Sequence, residues 1–134
     1  MYGRIGLLFT ITFLLVACQT DSNTQTELEK ISPDKLLSAS QLKALLTGKK
    51  MSYYNRNGVL EEDHLKNDGS IKSEDMEGAK DTGRWWVEEP NTLCRQWSQW
   101  ADGNKVCSQV AKDGDTYYAV RLGVKASRGF EVVN

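Results

Sequence analysis

The hydrophobic periodicity of this 134-residue chain changes at Gly48, and this change constrains the fold more than any other feature. Upstream of Gly48, leucines recur at helical spacing: Leu42, Leu45 and Leu46. Downstream, apolar and polar residues alternate, and turn signals recur about every ten residues, as in short antiparallel strands. The sequence therefore predicts one N-terminal helix followed by a β-rich domain.

Local signals set the boundaries of these elements. Ser38 followed by Gln41 fits a capping box, and Gly48 suits a left-handed helix end, so a helix is predicted over residues 39–47. Strands are predicted over residues 50–55, 59–65, 70–72, 83–88, 93–98, 105–112, 116–122 and 129–133. The acidic residues 73–80 are predicted to form a loop. A small antiparallel barrel or strongly curved sheet of about seven to eight strands, plugged at one end by the helix, avoids exposed sheet edges.

The N-terminus has the pattern of an export signal. Arg4 precedes an apolar run over residues 5–16 that is too short to cross a membrane comfortably. The run ends in Leu15-Val16-Ala17-Cys18, which resembles the lipobox of bacterial lipoproteins. The resemblance implies that the peptide before Cys18 is removed and that this cysteine carries acyl chains such as palmitate. Because Gln19 and not an aspartate follows, it also implies an outer-membrane anchor facing the periplasm.

Three segments follow from this interpretation. Residues 1–17 are predicted to be a lipoprotein signal peptide, residues 18–32 a flexible lipid-anchored tether, and residues 33–134 a single β-rich domain. The alternatives to a lipid anchor are an uncleaved N-terminal helix and an ordinary secretory signal.

Charge and cysteine count narrow the class of protein. Without Arg4 the chain has 16 basic and 18 acidic residues and no basic run, which disfavours a nucleic-acid partner. With Cys18 assigned to lipid, Cys94 and Cys107 form an even pair in an oxidising compartment, so we expect a disulfide bond. Two cysteines and the distant His64 are too few ligands for a metal site, and no cofactor motif is present.

The expected disulfide sets the register of a hairpin. Placing Cys94 opposite Cys107 pairs Arg95 with Val106 and Trp97 with Asn104. One face then carries Leu93, Arg95, Trp97, Val106 and Val110. The other carries Cys94, Gln96, Lys105, Cys107 and Gln109. The first face is more apolar, so Arg95 is predicted to point toward the core or a cavity mouth. In the next strand the predicted inward residues are Tyr118, Val120 and Leu122.

Several short motifs accompany this pattern: Leu46-Thr47-Gly48, Asp68-Gly69, Gly83-Arg84-Trp85, Leu93-Cys94, Cys107 and Asp113-Gly114. In the middle of the chain their combination resembles small exported bacterial β-domains of uncharacterised function. The resemblance implies a lipocalin-like barrel and supplies no catalytic residues.

A cluster of aromatic residues contains the candidate binding site. Four tryptophans lie close together in the sequence: Trp85, Trp86, Trp97 and Trp100. They either form the wall of a ligand site or fill the core and cover its ends. Arg95 among them must be paired or hydrated, either by an ion pair with a glutamate or by an anionic ligand at the barrel mouth. The candidate ligand-binding residues are Arg95, Trp97, Trp100 and Tyr118.

The remaining polar residues suggest no catalytic site. His64 has no identifiable second base or orienting carboxylate, so it is predicted to be a solvated surface side chain. Glu61, Glu62 and Asp63 would alternate between the two faces of a strand and are predicted to form a charged surface. Residues 63–69 depart from the calcium-loop pattern. We therefore expect a protein that is not an enzyme.

Two functions are consistent with the sequence. The first is a lipid-anchored cell-envelope protein that acts as a non-catalytic binding module for a small amphipathic or anionic ligand. The alternative is a protein-interaction lipoprotein, such as an inhibitor or accessory of a cell-wall enzyme, in which loop 73–80 or loop 98–104 contacts the partner. Small disulfide-linked lipoproteins that resemble lysozyme inhibitors are examples of this second kind of function.

Overall fold

The computed structural model describes residues 28–126 and 128–134. The predicted signal peptide, the lipobox cysteine Cys18 and the first part of the tether lie outside these described residues. Within them, eight antiparallel strands close a barrel, a ninth strand lies beside it, and one α-helix covers one end. The prediction of a mainly β barrel with a single helix is confirmed. No helix in the described residues is long and apolar enough to span a bilayer.

The elements follow the predicted order along the chain. Helix α1 spans Ala39–Leu46 and follows a 3-10 turn at Pro33–Lys35. The strands are β1 (Lys49–Tyr54), β2 (Leu60–Leu65), β3 (Ser70–Asp75), β4 (Lys80–Glu88), β5 (Thr92–Trp97), β6 (Val106–Asp113), β7 (Thr116–Arg121), β8 (Val124–Lys125) and β9 (Phe130–Val133). The predicted capping box is present, because Ser38 Oγ accepts from Gln41 N and Gln41 Oε1 accepts from Ser38 N.

Strand pairing closes the barrel. The order is β6-β5-β4-β3-β2-β1-β9-β7-β8, and β6 also pairs with β7. Strands β4 and β5 approach closely at Gly83, where a Cβ atom would lie 1.9 Å from the backbone oxygen of Gln96. Glycine is therefore required at this position for the two strands to pair.

Helix α1 closes one end of the barrel with its apolar face. Leu42 and Leu46 are completely buried and pack against the strands. Their neighbours in the core are Met51, Leu65, Ile71, Trp85, Leu93, Trp97, Val110 and Phe130. The indole Nε1 of Trp85 donates to the backbone oxygen of Lys66 at 2.9 Å, so this large side chain is buried with its polar atom paired.

The predicted disulfide hairpin is confirmed. Cys94 and Cys107 are bonded and lie directly opposite each other in β5 and β6. Arg95 pairs with Val106, as the register requires, and points into the barrel. The described hairpin therefore has the two faces that the cysteine spacing predicts.

The predicted pair of Trp97 with Asn104 is wrong. The ladder between β5 and β6 ends at Arg95 and Val106, two residue pairs earlier, and residues 98–105 leave the sheet. Asp81 is responsible, because its Oδ2 accepts hydrogen bonds of 2.8 Å from the backbone N–H groups of Gln99 and Trp100. These bonds fold the segment into a 3-10 turn instead of a continued strand.

The N-terminal segment covers the outer face of β6 and β7. Ile31 is buried against Ala111 and Val120, and its backbone N–H donates to the oxygen of Gly123 at 2.8 Å. The prediction of a tether extending to Ser32 is therefore wrong, because the apolar Ile31 fills a second, smaller core outside the barrel.

This second core also reverses the predicted orientation of β7. Val120 belongs to it and therefore points out of the barrel. Tyr118 lies outside the cavity and beside Lys125, whose Nζ is 4.0 Å from the ring centroid. Leu122 is fully exposed in a turn. The prediction that Tyr118, Val120 and Leu122 point inward is wrong, since the residues of β7 in contact with the interior are Tyr117, Ala119 and Arg121.

The acidic stretch after β2 is more regular than predicted. Residues 73–80 were expected to form a loop, but β3 continues to Asp75 and β4 begins at Lys80. Ser73 is buried because its hydroxyl binds Asp63 inside the barrel. The prediction of a loop from Ser73 is therefore wrong, and a short turn replaces it.

Candidate functional site

A cavity of about 960 Å³ lies in the barrel toward the end opposite α1. Its apolar wall is formed by Met51, Leu93, Val106, Val110 and Phe130. Its mouth lies between the β1–β2 turn, the segment after β5 and the chain around the end of β7. The predicted site residues Arg95, Trp97 and Trp100 line this cavity, whereas Tyr118 does not.

Arg95 is the most constrained polar group of the cavity. Its guanidinium carbon lies 5.1 Å from the ring centroid of Tyr53 and 5.0 Å from that of Trp97, so two aromatic rings hold it. Its Nη1 donates to Asp63 Oδ2 at 2.5 Å and to Tyr53 Oη at 3.1 Å. Among the described residues, Nη2 and Nε have no hydrogen-bond acceptor, so their N–H groups are available to a ligand.

Asp63 is the counter-ion that holds Arg95. It has no exposed surface, and besides Arg95 it accepts a hydrogen bond from Ser73 Oγ. Ser73 in turn accepts from Trp97 Nε1 at 2.7 Å. Every partner of this buried carboxylate is thus itself fixed by a second contact, which keeps the guanidinium in one place. The ion pair that the sequence suggested does exist, but with an aspartate and not a glutamate.

Glu61 extends the polar network toward the mouth. The hydroxyl of Tyr53 donates to Glu61 Oε1 at 2.5 Å, and Asn55 Nδ2 lies 3.4 Å from Oε2. Glu61 and Asp63 point inward, while Glu62 points to solvent. The prediction that these three form a charged surface is wrong for Glu61 and Asp63, because Arg95, Tyr53 and Ser73 satisfy carboxylates within the barrel.

Burial shifts the pKa values of the acidic and basic groups of this network in opposite directions, because it disfavours the charged form of each. It raises the pKa of Glu61 above the ordinary 4.5, and the nearby Asp63 charge adds to this while the Tyr53 hydrogen bond opposes it. Burial also raises the pKa of Tyr53 well above its usual 10.0. For Arg95, burial alone would lower the pKa, but Tyr53 and Asp63 hold it above its ordinary value. Arg95 therefore stays charged inside the barrel.

The raised pKa of Glu61 predicts a specific pH dependence of stability. Between 4.5 and the higher pKa of the folded state, the folded chain binds more protons than the unfolded one, so stability falls as pH rises through this window. We expect Glu61→Gln to remove this loss and to be more stable than the wild type at neutral pH, with the difference shrinking toward acidic pH. Urea unfolding across this range measures it.

Glu62→Gln is the matched control, because Glu62 is the exposed neighbour on the opposite face of β2. Its stability difference from the wild type should not follow the same pH profile. A Glu61→Gln difference that is constant with pH would contradict the assignment of Glu61 as a carboxylate that is harder to ionise in the folded state.

The tryptophans divide between the core and the mouth. Trp85 and Trp97 are buried, while Trp100 is half-buried at the mouth, with its ring centroid 6.4 Å from that of Trp97. Trp86 lies on the outer face, where its Nε1 donates to Glu88 Oε1 at 3.0 Å. Two tryptophans therefore contribute to the wall of the cavity, and both lie on the β5 side.

Three further arginines line the mouth that sequence patterns do not identify as site residues. Arg56, Arg121 and Arg128 all line the cavity, and all are exposed. None of them forms an ion pair within residues 28–126 and 128–134. They lie far apart in sequence, so no local pattern marks them. Arg56 follows β1, Arg121 ends β7 and Arg128 precedes β9, and these three strands are neighbours only because β9 and β7 follow β1 in the sheet.

The other candidates lie away from the cavity. His64 is exposed on the outer face of β2, as predicted. Glu88 lies near the sulfur atoms of Cys94 and Cys107, but sulfurs joined in a disulfide are not thiolate ligands. Of the two loops considered as partner contacts, residues 98–104 do form a loop, with left-handed backbone at Ala101 and Asp102.

Comparisons of the chain with protein-family models, with curated proteins and with solved structures find no match.

Proposed function

We propose that this protein is a non-catalytic binding module of the cell envelope that holds a small anionic amphiphile in its barrel cavity. One observation carries the proposal: Arg95 is fixed by Asp63, Tyr53 and Trp97, yet it lines an open cavity and keeps N–H groups without an acceptor among the described residues. A rigid donor inside a pocket that combines apolar walls with a few fixed polar groups is typical of a ligand site.

The two ends of the cavity favour the two ends of an amphiphile. The apolar wall of Met51, Leu93, Val110 and Phe130 suits a hydrocarbon portion. The mouth offers Arg56, Arg121 and Arg128, which suit a carboxylate or phosphate group. The negative charge of Asp63 offsets the positive charge of Arg95. In this proposal the acidic group of the ligand therefore lies at the mouth, and Arg95 donates to a polar atom farther along the ligand.

The same proposal places the barrel at the outer membrane, facing the periplasm, and anchored through acyl chains on Cys18. Two features support it. The lipobox pattern precedes Cys18, and the disulfide between Cys94 and Cys107 is the type of bond that persists in oxidising compartments. Two or three acyl chains would hold the protein on the bilayer, since each buried CH₂ contributes about 0.8 kcal/mol.

Calorimetric titration with octanoate tests the proposal. We expect the acylated chain in nanodiscs to bind octanoate but not octyltrimethylammonium, with empty nanodiscs as the reference for partitioning. The Arg121→Gln/Arg128→Gln variant should weaken octanoate binding at least about tenfold, because one charge-assisted hydrogen bond contributes roughly 1.5 kcal/mol or more.

Arg84→Gln provides the matched control. Arg84 is also exposed, but it does not line the cavity. Its substitution should leave octanoate affinity unchanged. Equal binding of both detergent-like ions, or equal weakening by the Arg84 and Arg121/Arg128 variants, would show that the cavity does not select an anionic amphiphile.

A further inference from the structure

The rim of the barrel is divided into two unlike halves. The half formed by the β1–β2 turn and the chain around β7 and β8 carries Tyr54, Arg56, Arg121, Leu122 and Arg128, which we call the basic rim. The other half, at the β3–β4 turn and the loop after β5, carries Asp75, Glu77 and Asp102. The strand order keeps these halves on different sides of the mouth.

The basic rim combines exposed apolar groups with unpaired charge. Leu122 is 102% exposed and Tyr54 is 56% exposed. Leu122 also holds a left-handed backbone conformation, with φ of 53°, at the tip of the β7–β8 turn, so a large apolar side chain occupies a position that favours glycine or asparagine. The three arginines of the rim have no ion pair among the described residues. Burial in the fold explains neither the leucine nor the arginines.

The chain toward Cys18 runs along the hairpin that carries part of the basic rim. Lys30 pairs with Val124, and Ile31 N donates to Gly123 O, so the first described residues run along the β7–β8 hairpin that presents Leu122. Leu28 lies ten positions after Cys18, and even fully extended a chain of that length spans roughly 35 Å at most. A lipid anchor on Cys18 would therefore keep Leu28, and with it this hairpin, within roughly that distance of the bilayer.

From these observations we infer that the basic rim docks on an anionic lipid surface, with Leu122 inserted among the headgroups and the cavity mouth facing the bilayer. This inference rests on the proposed lipid anchor and adds an orientation to it. The arginines match the charge of acidic headgroups, and the acidic half of the rim tilts away from them. An amphiphile could then pass between membrane and cavity without crossing open water.

Hydrogen exchange on the acylated full chain tests this orientation. The chain is placed in vesicles of phosphatidylcholine alone or of phosphatidylcholine with phosphatidylglycerol. We expect amides of residues 53–58 and 119–125 to exchange at least about fivefold more slowly on the anionic vesicles, the shift in docked population expected for one arginine near such a surface. Amides of the β3–β4 turn should not change.

Two variants make the test specific. Leu122→Ser should return exchange of the basic rim to the level seen on neutral vesicles while octanoate binding is retained, because Leu122 does not line the cavity. Met76→Ser, at an exposed apolar residue of the β3–β4 turn, should have no effect.

The outcomes separate the docking surface from the proposed function. An anchored chain with equal exchange on both vesicles overturns the docking inference, even if octanoate binds. Slow exchange that appears without vesicles as protein concentration rises would show that the basic rim contacts a second copy of the chain. This result also overturns the docking inference. A chain without acyl groups that still shows protection supports the docking surface and contradicts the anchor. Absence of both acyl groups and protection overturns both.

Discussion

Replacing Asp63 with alanine is expected to lower the free energy of unfolding by about 3–5 kcal/mol, the cost of removing one partner from a buried ion pair. Asp63 is completely buried, and the Arg95 side chain is only 14% exposed. Without the carboxylate, the guanidinium would be a charge without a counter-ion inside the barrel, because no other acid among the described residues accepts from Nη1. Equilibrium unfolding in urea measures the change.

An exposed ion pair provides the control. Lys80 and Glu74 contact each other with side chains 67% and 57% exposed, so Glu74→Ala should cost less than about 1 kcal/mol. The Asp63→Leu/Arg95→Met double variant should recover most of the stability lost in Asp63→Ala, because apolar replacement of both partners is often neutral. If Asp63→Ala cost no more than Glu74→Ala, the buried network would not be the polar framework of the barrel.

Removal of the disulfide is expected to produce the second large effect. The bond between Cys94 and Cys107 closes a loop with a sequence separation of 13. On the chain-entropy model, the Cys94→Ala/Cys107→Ala variant should lose about 3 kcal/mol of unfolding free energy, mainly because the unfolded chain gains freedom.

Reduction of the wild type provides an independent measure of the same bond. Thermal unfolding of the reduced wild type and of the double alanine variant should agree, and both should lie below the oxidised wild type. A variant as stable as the oxidised protein would show that the hairpin register is maintained by the β5–β6 ladder and side-chain packing alone.

Sequence patterns predicted the parts of the fold that depend on local chemistry. The capping box predicts the start of α1, and the two cysteines predict the β5–β6 register. This register places Arg95 on the face that points into the barrel, as the structure confirms. These features are local or involve one covalent bond, so residue types at fixed spacing are enough to identify them.

Errors arose where a polar residue enters the barrel or an apolar one leaves it. The run of consecutive acids predicts a surface position for Asp63, and the sequence does not show that Arg95 lies beside it to pair with a buried carboxylate. Val120 was assigned to the barrel interior because it is apolar, but Ile31 offers it a second core outside. Alternation distinguishes two faces of a strand without stating which face is inside.

The candidate site was predicted in part for the same reason. Arg95, Trp97 and Trp100 lie on one hairpin and its loop, so their proximity follows from local sequence. Arg56, Arg121 and Arg128 come together only through closure of the barrel, as does the contact of Arg95 with Tyr53. Long-range pairing of β1 with β9, which joins the β6–β7 hairpin to the start of the sheet through β9, is what creates the mouth.

Native mass spectrometry of the chain released from its own envelope in nonionic detergent is the decisive test of whether the barrel holds a ligand. We expect a population that carries, in addition to any acyl groups, one small acidic amphiphile. This molecule should dissociate on activation, and it should be largely lost in the Arg121→Gln/Arg128→Gln variant but retained in Arg84→Gln. A polypeptide that carries no such molecule, and that binds none when octanoate is added, would contradict the proposal that this barrel is a binding module.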